Sequence, residues 1–199
     1  MSLIAKDNGS MREPIPEGAY TAVCTGIIDL GQQYSEQYGK SSPKIMLQWE
    51  IIGETYEVDG EVRTRLLSRE YTNSLSEKAR LRNDLEAWRG KKFTAEELKG
   101  FSLVKLLGKA CQVQIVHNET PKGKYENIKA IMGIPKGMEP PKIPSDRCVV
   151  FDMDSPDETV YESLPEWIRL KIDQAEERKP SGTVDLEFEE IEDDGQLPF

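Results

Sequence analysis

The sequence holds a single histidine, His117, and only three cysteines among its 199 residues. One histidine leaves little room for a His-based general acid–base pair or a multi-histidine metal site. Cys24, Cys111 and Cys148 are odd in number and far apart, so they offer neither a disulfide framework nor a zinc ribbon, and they fit a reducing compartment. No apolar run approaches the roughly 18 residues of a helical membrane span. The opening Met1-Ser2-Leu3-Ile4-Ala5-Lys6-Asp7 has no apolar core of a secretion signal, so a cytoplasmic location is expected. The patterns GxxxxGK[ST], HExxH, GxSxG and paired CxxC do not occur. The expectation is a protein without catalytic residues, metal or cofactor. Asp152-Met153-Asp154 reads as a solvated acidic loop rather than a cation site.

Hydrophobic residues make up only 37% of the chain and charged residues 31%, which suggests that part of it stays outside any core. The net charge of −10 is unevenly spread. Residues 1–149 carry 22 Lys/Arg against 20 Asp/Glu, whereas residues 150–199 carry 4 against 16. A slightly basic body with a strongly acidic end is an asymmetry found in nucleic-acid proteins, and equally in solubilising tails.

Periodicity divides the chain further. Residues 1–17 read as a flexible arm. Ala19–Leu30 is rich in apolar and β-branched residues and reads as a strand, followed by a polar loop from Gly31 to Pro43. Lys44–Ile52 alternates Ile45, Leu47, Trp49 and Ile51 against polar positions, and Asp59-Gly60 supplies a hairpin turn into a third strand over Arg63–Thr72. The spacing then predicts a helix opened by a capping box at Ser74–Glu77, burying Leu75, Ala79, Leu81, Leu85 and Trp88 and stopping at Gly90. A second box at Thr94–Glu97 opens a short turn. Cys111–His117 and Tyr125–Met132 read as strands four and five. The order β-β-β-α-β-β over residues 18–137 is that of a five-stranded OB-fold barrel, mainly β with helices. Residues 138–162 read as a proline-rich linker and 163–179 as a C-terminal helix with Leu164, Trp167, Ile168, Ile172 and Ala175 on one side. Residues 180–199, with seven acids and no base, read as a disordered tail.

Binding to an unpaired polynucleotide needs cations for phosphates and rings for bases. Three places supply both. The third strand sets Arg63, Arg65, Leu67, Arg69 and Tyr71 on one face, which looks poorly suited to a core. The fourth turn and fifth strand offer Lys122, Lys124, Tyr125 and Lys129, and the first loop offers Tyr34, Tyr38, Lys40 and Lys44. All three map onto the expected binding surface of an OB barrel. In contrast, Trp49, Trp88 and His117 are in phase with apolar faces and are assigned to the core. The mixed charges of the first helix read as an ion-paired exposed face. At the other end, the acids Asp193 and Asp194 precede Leu197, Pro198 and Phe199. An apolar tip after an acidic run is wasteful for solubility alone and suits a short linear ligand, its terminal carboxylate pairing with a basic residue of a partner. Tail acids are also expected to compete with DNA for its groove. The rival expectation is an OB-like adaptor that binds protein only. The sequence leaves self-association open.

Residues 18 to about 137 resemble a bacteriophage family of single-stranded DNA-binding proteins with an OB fold. The resemblance rests on Ser68-Arg69-Glu70-Tyr71-Thr72, on Leu85-Glu86-Ala87-Trp88-Arg89-Gly90-Lys91-Lys92-Phe93 and on Leu107-Gly108-Lys109. The end of the chain resembles the tip of bacterial single-stranded DNA-binding proteins, an acidic run closed by Ile-Pro-Phe. Leu197, Pro198 and Phe199 match that tripeptide and Asp194 an acid, while Gly195 and Gln196 stand where further aspartates are usual. The resemblance implies DNA replication and recombination of a phage or prophage in a bacterial cytoplasm, little sequence preference, and replication or recombination proteins as partners of the tip.

Overall fold

A computed structural model describes residues 13–178 except Asp59 and Lys122. Their strands are β1 (Gly18–Ser35), β2 (Lys40–Val58), β3 (Glu61–Thr72), β4 (Ala110–Thr120), β5 (Gly123–Met132) and β6 (Val149–Phe151). Helices α1 (Arg80–Arg89) and α2 (Ala95–Lys99) lie between β3 and β4, and α3 (Glu158–Ser163) and α4 (Glu166–Asp173) follow β6. The fold is mainly β: one curled antiparallel sheet of order β3-β2-β1-β4-β5, a half-barrel, with β6 parallel to β1 off the main path.

The sheet curls because β1 serves two partners. Its first residues, Gly18 to Val23, pair with β4, while Ala22 to Ser35 pair with β2, and register shifts at Cys24/Gly26 and Asp29/Gly31 bend the strand between. The inner face gathers Cys24, Ile45, Leu47, Trp49, Ile51, Cys111, Val113, Ile115 and Ile131. Helix α1 closes this core with Leu81, Leu85 and Trp88, and it stops at Gly90, whose φ is +68°. Trp88 donates its Nε1–H to the Ala110 carbonyl at 2.8 Å, so both tryptophans expected inside, Trp49 and Trp88, are core residues. Ile15 is buried here too, and His117 Nε2–H donates to its carbonyl at 2.7 Å. The Glu17 carboxylate accepts the His117 backbone N–H at 2.7 Å. The arm is therefore pinned from Ile15 onward, and His117 is occupied structurally.

Several boundaries differ from the sequence reading. The polar stretch after Gly31 continues as an antiparallel ladder from Gly31↔Lys44 to Ser35↔Lys40, because backbone pairing does not require apolar side chains once the register is set by the core. Ser74 does not cap α1. Its Oγ accepts the Ser76 amide in a local turn, and the helix begins at Arg80 after Ala79. The Thr94–Glu97 box does open α2, with both reciprocal bonds made. Residues 138–162 are not a bare linker: they carry β6 and α3. Ser163 ends α3 instead of opening a helix.

A second core lies on the opposite face of the β1–β2 sheet. Ile28, Leu30 and Met46 meet Phe151, Leu164, Ile168 and Ile172. Burying four such side chains at about 1.5–3 kcal/mol each outweighs the marginal stability of short isolated helices like α3 and α4. Trp167, expected on the buried side of α4, is 47% exposed instead. Gly31 permits the close approach: its φ is +66°, and a Cβ there would lie 2.7 Å from the Ala175 Cβ. Among the described residues no helix is long and apolar enough to cross a membrane.

Candidate functional site

Strand β3 carries the main correction. Period-two alternation does place Arg65, Leu67, Arg69 and Tyr71 on one face, but that face turns inward. Arg65 is 7% exposed. Its guanidinium bonds Glu126 of β5 at 2.6 Å and the Glu13 carbonyl at 3.1 Å, tying β3 to β5 across the open side of the half-barrel. Arg69 pairs with Asp84 of α1 at 3.0 Å, and Tyr71, 3% exposed, donates its phenol to the same carboxylate at 2.9 Å. Burial, reinforced by the Asp84 charge, pushes the Tyr71 phenol above its ordinary value. These groups are spent holding α1 and β5 in place, so Arg65, Arg69 and Tyr71 do not form an open track for a polynucleotide. A buried charge needs its partner, and each arginine here has one. Arg63, at the start of the strand, is exposed and bridges Glu61 at 3.0 Å.

The β1–β2 hairpin is different. Ser35, Tyr38, Lys40, Ser42, Lys44 and Thr72 line one groove of about 380 Å³. The directly opposed pairs Ser35/Lys40 and Gly31/Lys44 share a sheet face, which is why the two lysines line up with these hydroxyls. Lys44 Nζ donates to Thr72 Oγ1 at 3.0 Å, and neither Lys40 nor Lys44 makes an ion pair among the described residues. Tyr38 is 69% exposed; Tyr34 on the same hairpin is 56% exposed, but alternation along the strand sets it on the face opposite Ser35 and Lys40, outside the groove. No carboxylate lines the groove. It offers two cations, three hydroxyls and an open ring, a set suited to a phosphodiester with an unstacked base.

The β4–β5 hairpin carries Lys124, Tyr125 and Lys129 on its surface; Lys122 lies outside the described residues. Because β4 runs past Gly18, this hairpin leaves the opposite end of β1 from the one bearing Tyr38. The three expected contact places therefore do not converge on β3. Two remain exposed, at opposite ends of the long strand.

Residues 145–178 were not expected near the site, yet they flank it. Arg147 bridges Glu50 at 2.8 Å and Lys171 bridges Glu70 at 2.7 Å. Gln33 donates to the Lys171 carbonyl at 2.8 Å, Glu177 accepts the Gln32 amide, and Ser41 donates to Glu176. Two consecutive acids thus clasp the hairpin on which the groove is built. Asp193, Asp194, Leu197, Pro198 and Phe199 lie outside the described residues. No protein-family model and no curated protein matches this chain.

Proposed function

We propose that this protein binds and protects single-stranded DNA with little sequence preference during phage DNA replication or recombination, without catalysis, in the cytoplasm of a bacterial host. The observation that supports this most is the β1–β2 groove, where Tyr38, Lys40 and Lys44 lie together with three hydroxyls and no lining carboxylate. In this reading the half-barrel is an OB fold. The order β1-β2-β3-α1-β4-β5, a bent first strand pairing with both β2 and β4, and the Arg65–Glu126 tie between β3 and β5 agree with it.

Lys40 and Lys44 offset phosphate charge, while Ser35, Ser42 and Thr72 donate to phosphate oxygens. Tyr38 stacks on bases, at about 1–3 kcal/mol per base. Lys124, Tyr125 and Lys129, with Lys122, make a second contact. The acids of residues 185–192 follow in sequence on Glu176 and Glu177, which hold the chain to the hairpin. They compete with DNA for the lysines, and Asp193, Asp194, Leu197, Pro198 and Phe199 recruit replication or recombination proteins. The test is anisotropy of a labelled oligothymidylate titrated with the full chain across a salt series. A log–log slope of about −0.7 per phosphate contacted is expected, with weaker retention of duplex. No retention of single strands at low salt would overturn the reading.

One observation favours the second reading, a protein-binding adaptor. On the outer face Leu66 and Trp167, each about half exposed, line a hollow of about 370 Å³ with Tyr56, Thr64 and Pro165. An adaptor would use that hollow, in which Gln48 and Ser68 set polar groups beside the apolar side chains, and leave oligonucleotides unbound.

A further inference from the structure

A second pocket lies away from the hairpin, where α1, the α2–β4 connection and the end of β5 meet. It holds about 450 Å³ and is walled by Trp88, Phe101, Leu106, Ala110, Ile134 and Pro140. Gly133 shapes it: a Cβ there would come within 2.9 Å of the Trp88 carbonyl oxygen, so only glycine lets the chain after β5 approach α1 this closely.

The walls are carbon and the remaining side chains are cationic. Arg89, Lys105 and Lys109 line the same pocket. Lys105 and Lys109 are exposed, and neither makes an ion pair among the described residues. Arg89 stacks over Phe93 and Phe101 at 4.4 and 5.0 Å and bonds Glu97 through Nη2. Its Nη1 is buried without a hydrogen-bond partner among the described residues. Residues 88–110 carry six Lys/Arg against two Asp/Glu. An occupant that fits must bring apolar side chains for the walls and acids for the rim. A stacked base fits less well, because Trp88 is only 7% exposed and its indole N–H is committed to Ala110.

The chain contains such a segment. Seven acids between residues 185 and 194 lead into Leu197-Pro198-Phe199. Residues 179–199 can span up to about 70 Å when extended, against a diameter of roughly 40 Å for a domain of this size, so the tether does not forbid the reach. We propose that this pocket is an internal receptor for the chain's own acidic–apolar segment: Leu197 and Phe199 enter the walls, and Asp193 and Asp194 pair with Lys105 and Lys109. Docking there withholds the segment from other proteins until a competitor displaces it. The proposal does not rest on what fills the hairpin groove.

The test uses full-length chains and a fluorescent peptide of residues 185–199. A chain carrying Leu197→Ser and Phe199→Ala leaves its own pocket empty, so it should bind the peptide about ten-fold tighter than the unaltered chain. Adding Lys105→Glu and Lys109→Glu to that chain should weaken binding by at least about ten-fold. Both lysines are exposed, and an unchanged melting curve confirms that the variant folds; should it not, Lys109→Ala alone should still weaken binding several-fold. Equal affinity for the two tip versions, indifference to the lysine changes, or equal binding of a peptide with Leu197 and Phe199 replaced by serine would each overturn the proposal. So would displacement of the peptide by oligothymidylate in a Lys40→Ala, Lys44→Ala background, which would make the pocket a nucleic-acid site.

Discussion

Replacing Tyr38, Lys40 and Lys44 together by alanine should remove most of the DNA contact without disturbing the fold. Tyr38 is 69% exposed, and the two lysines make no ion pair among the described residues, so little packing or pairing is lost. Each lysine that neutralises a phosphate contributes about 0.7 to the salt slope for single strands, so the double lysine change should make the slope shallower by about 1.4. Over a fourfold rise in salt that difference alone amounts to roughly a seven-fold change in affinity. Losing one stacked base adds about 1–3 kcal/mol, or roughly a 5- to 150-fold weakening at fixed salt. The assay is anisotropy of labelled oligothymidylate between about 50 and 200 mM salt. Arg65→Met is the contrast. It leaves Glu126, at 20% side-chain exposure, without its guanidinium, and should cost about 2–4 kcal/mol of stability with the slope unchanged. A triple variant that keeps both slope and affinity would refute the assignment of the groove. An Arg65→Met chain with a flattened slope and intact stability would restore β3 as the contact strand.

Further outcomes follow from the same structure. Removing residues 185–199 should tighten oligonucleotide binding at low salt and change it little at high salt, as a competition experiment with intact chain would show. Ile172→Ala, in the fully buried second core, should lower stability by about 2–5 kcal/mol in urea melts. In native protein a thiol reagent near neutral pH should modify Cys148 first, because Cys24 is buried and pushed up to about 12 and Cys111 higher still; all three react after denaturation. The His117 amide holds the Glu17 carboxyl below its ordinary value of 4.5. A depressed folded value gives stability that is present above pH 4.5 and lost as pH falls through the folded value, so Glu17→Gln should show a smaller acid-induced drop in its urea midpoint.

Strand positions were legible where one face is apolar. Cys111, Val113 and Ile115 alternate cleanly, and they face the core. Alternation also grouped Arg65, Arg69 and Tyr71 correctly but could not say which way the group points. Leu67 in the same phase was the available clue, since it belongs to the core cluster. What lets arginines turn inward is Asp84 and Glu126, supplied by α1 and β5, and no local pattern announces a partner that distant. Residues 145–162 were hidden differently. The prolines ahead of them, Pro135, Pro140, Pro141 and Pro144, suggested a connector, whereas Val149-Val150-Phe151 is a short apolar run that pairs with Gly26, Ile27 and Ile28. At the candidate site, Tyr38, Lys40 and Lys44 could be named from sequence, but their alignment with Thr72 depends on a ladder that continues through a polar stretch.

Strand β1 belongs to two interiors at once, Cys24 and Ile27 to one and Ile28 and Leu30 to the other. A chain cut after residue 137, where the prolines begin, would keep all five main strands yet bare Ile28, Leu30 and Met46 in a single greasy strip. Such a fragment should self-associate, not behave as a minimal module. Any effort to isolate the half-barrel must carry its C-terminal cover along.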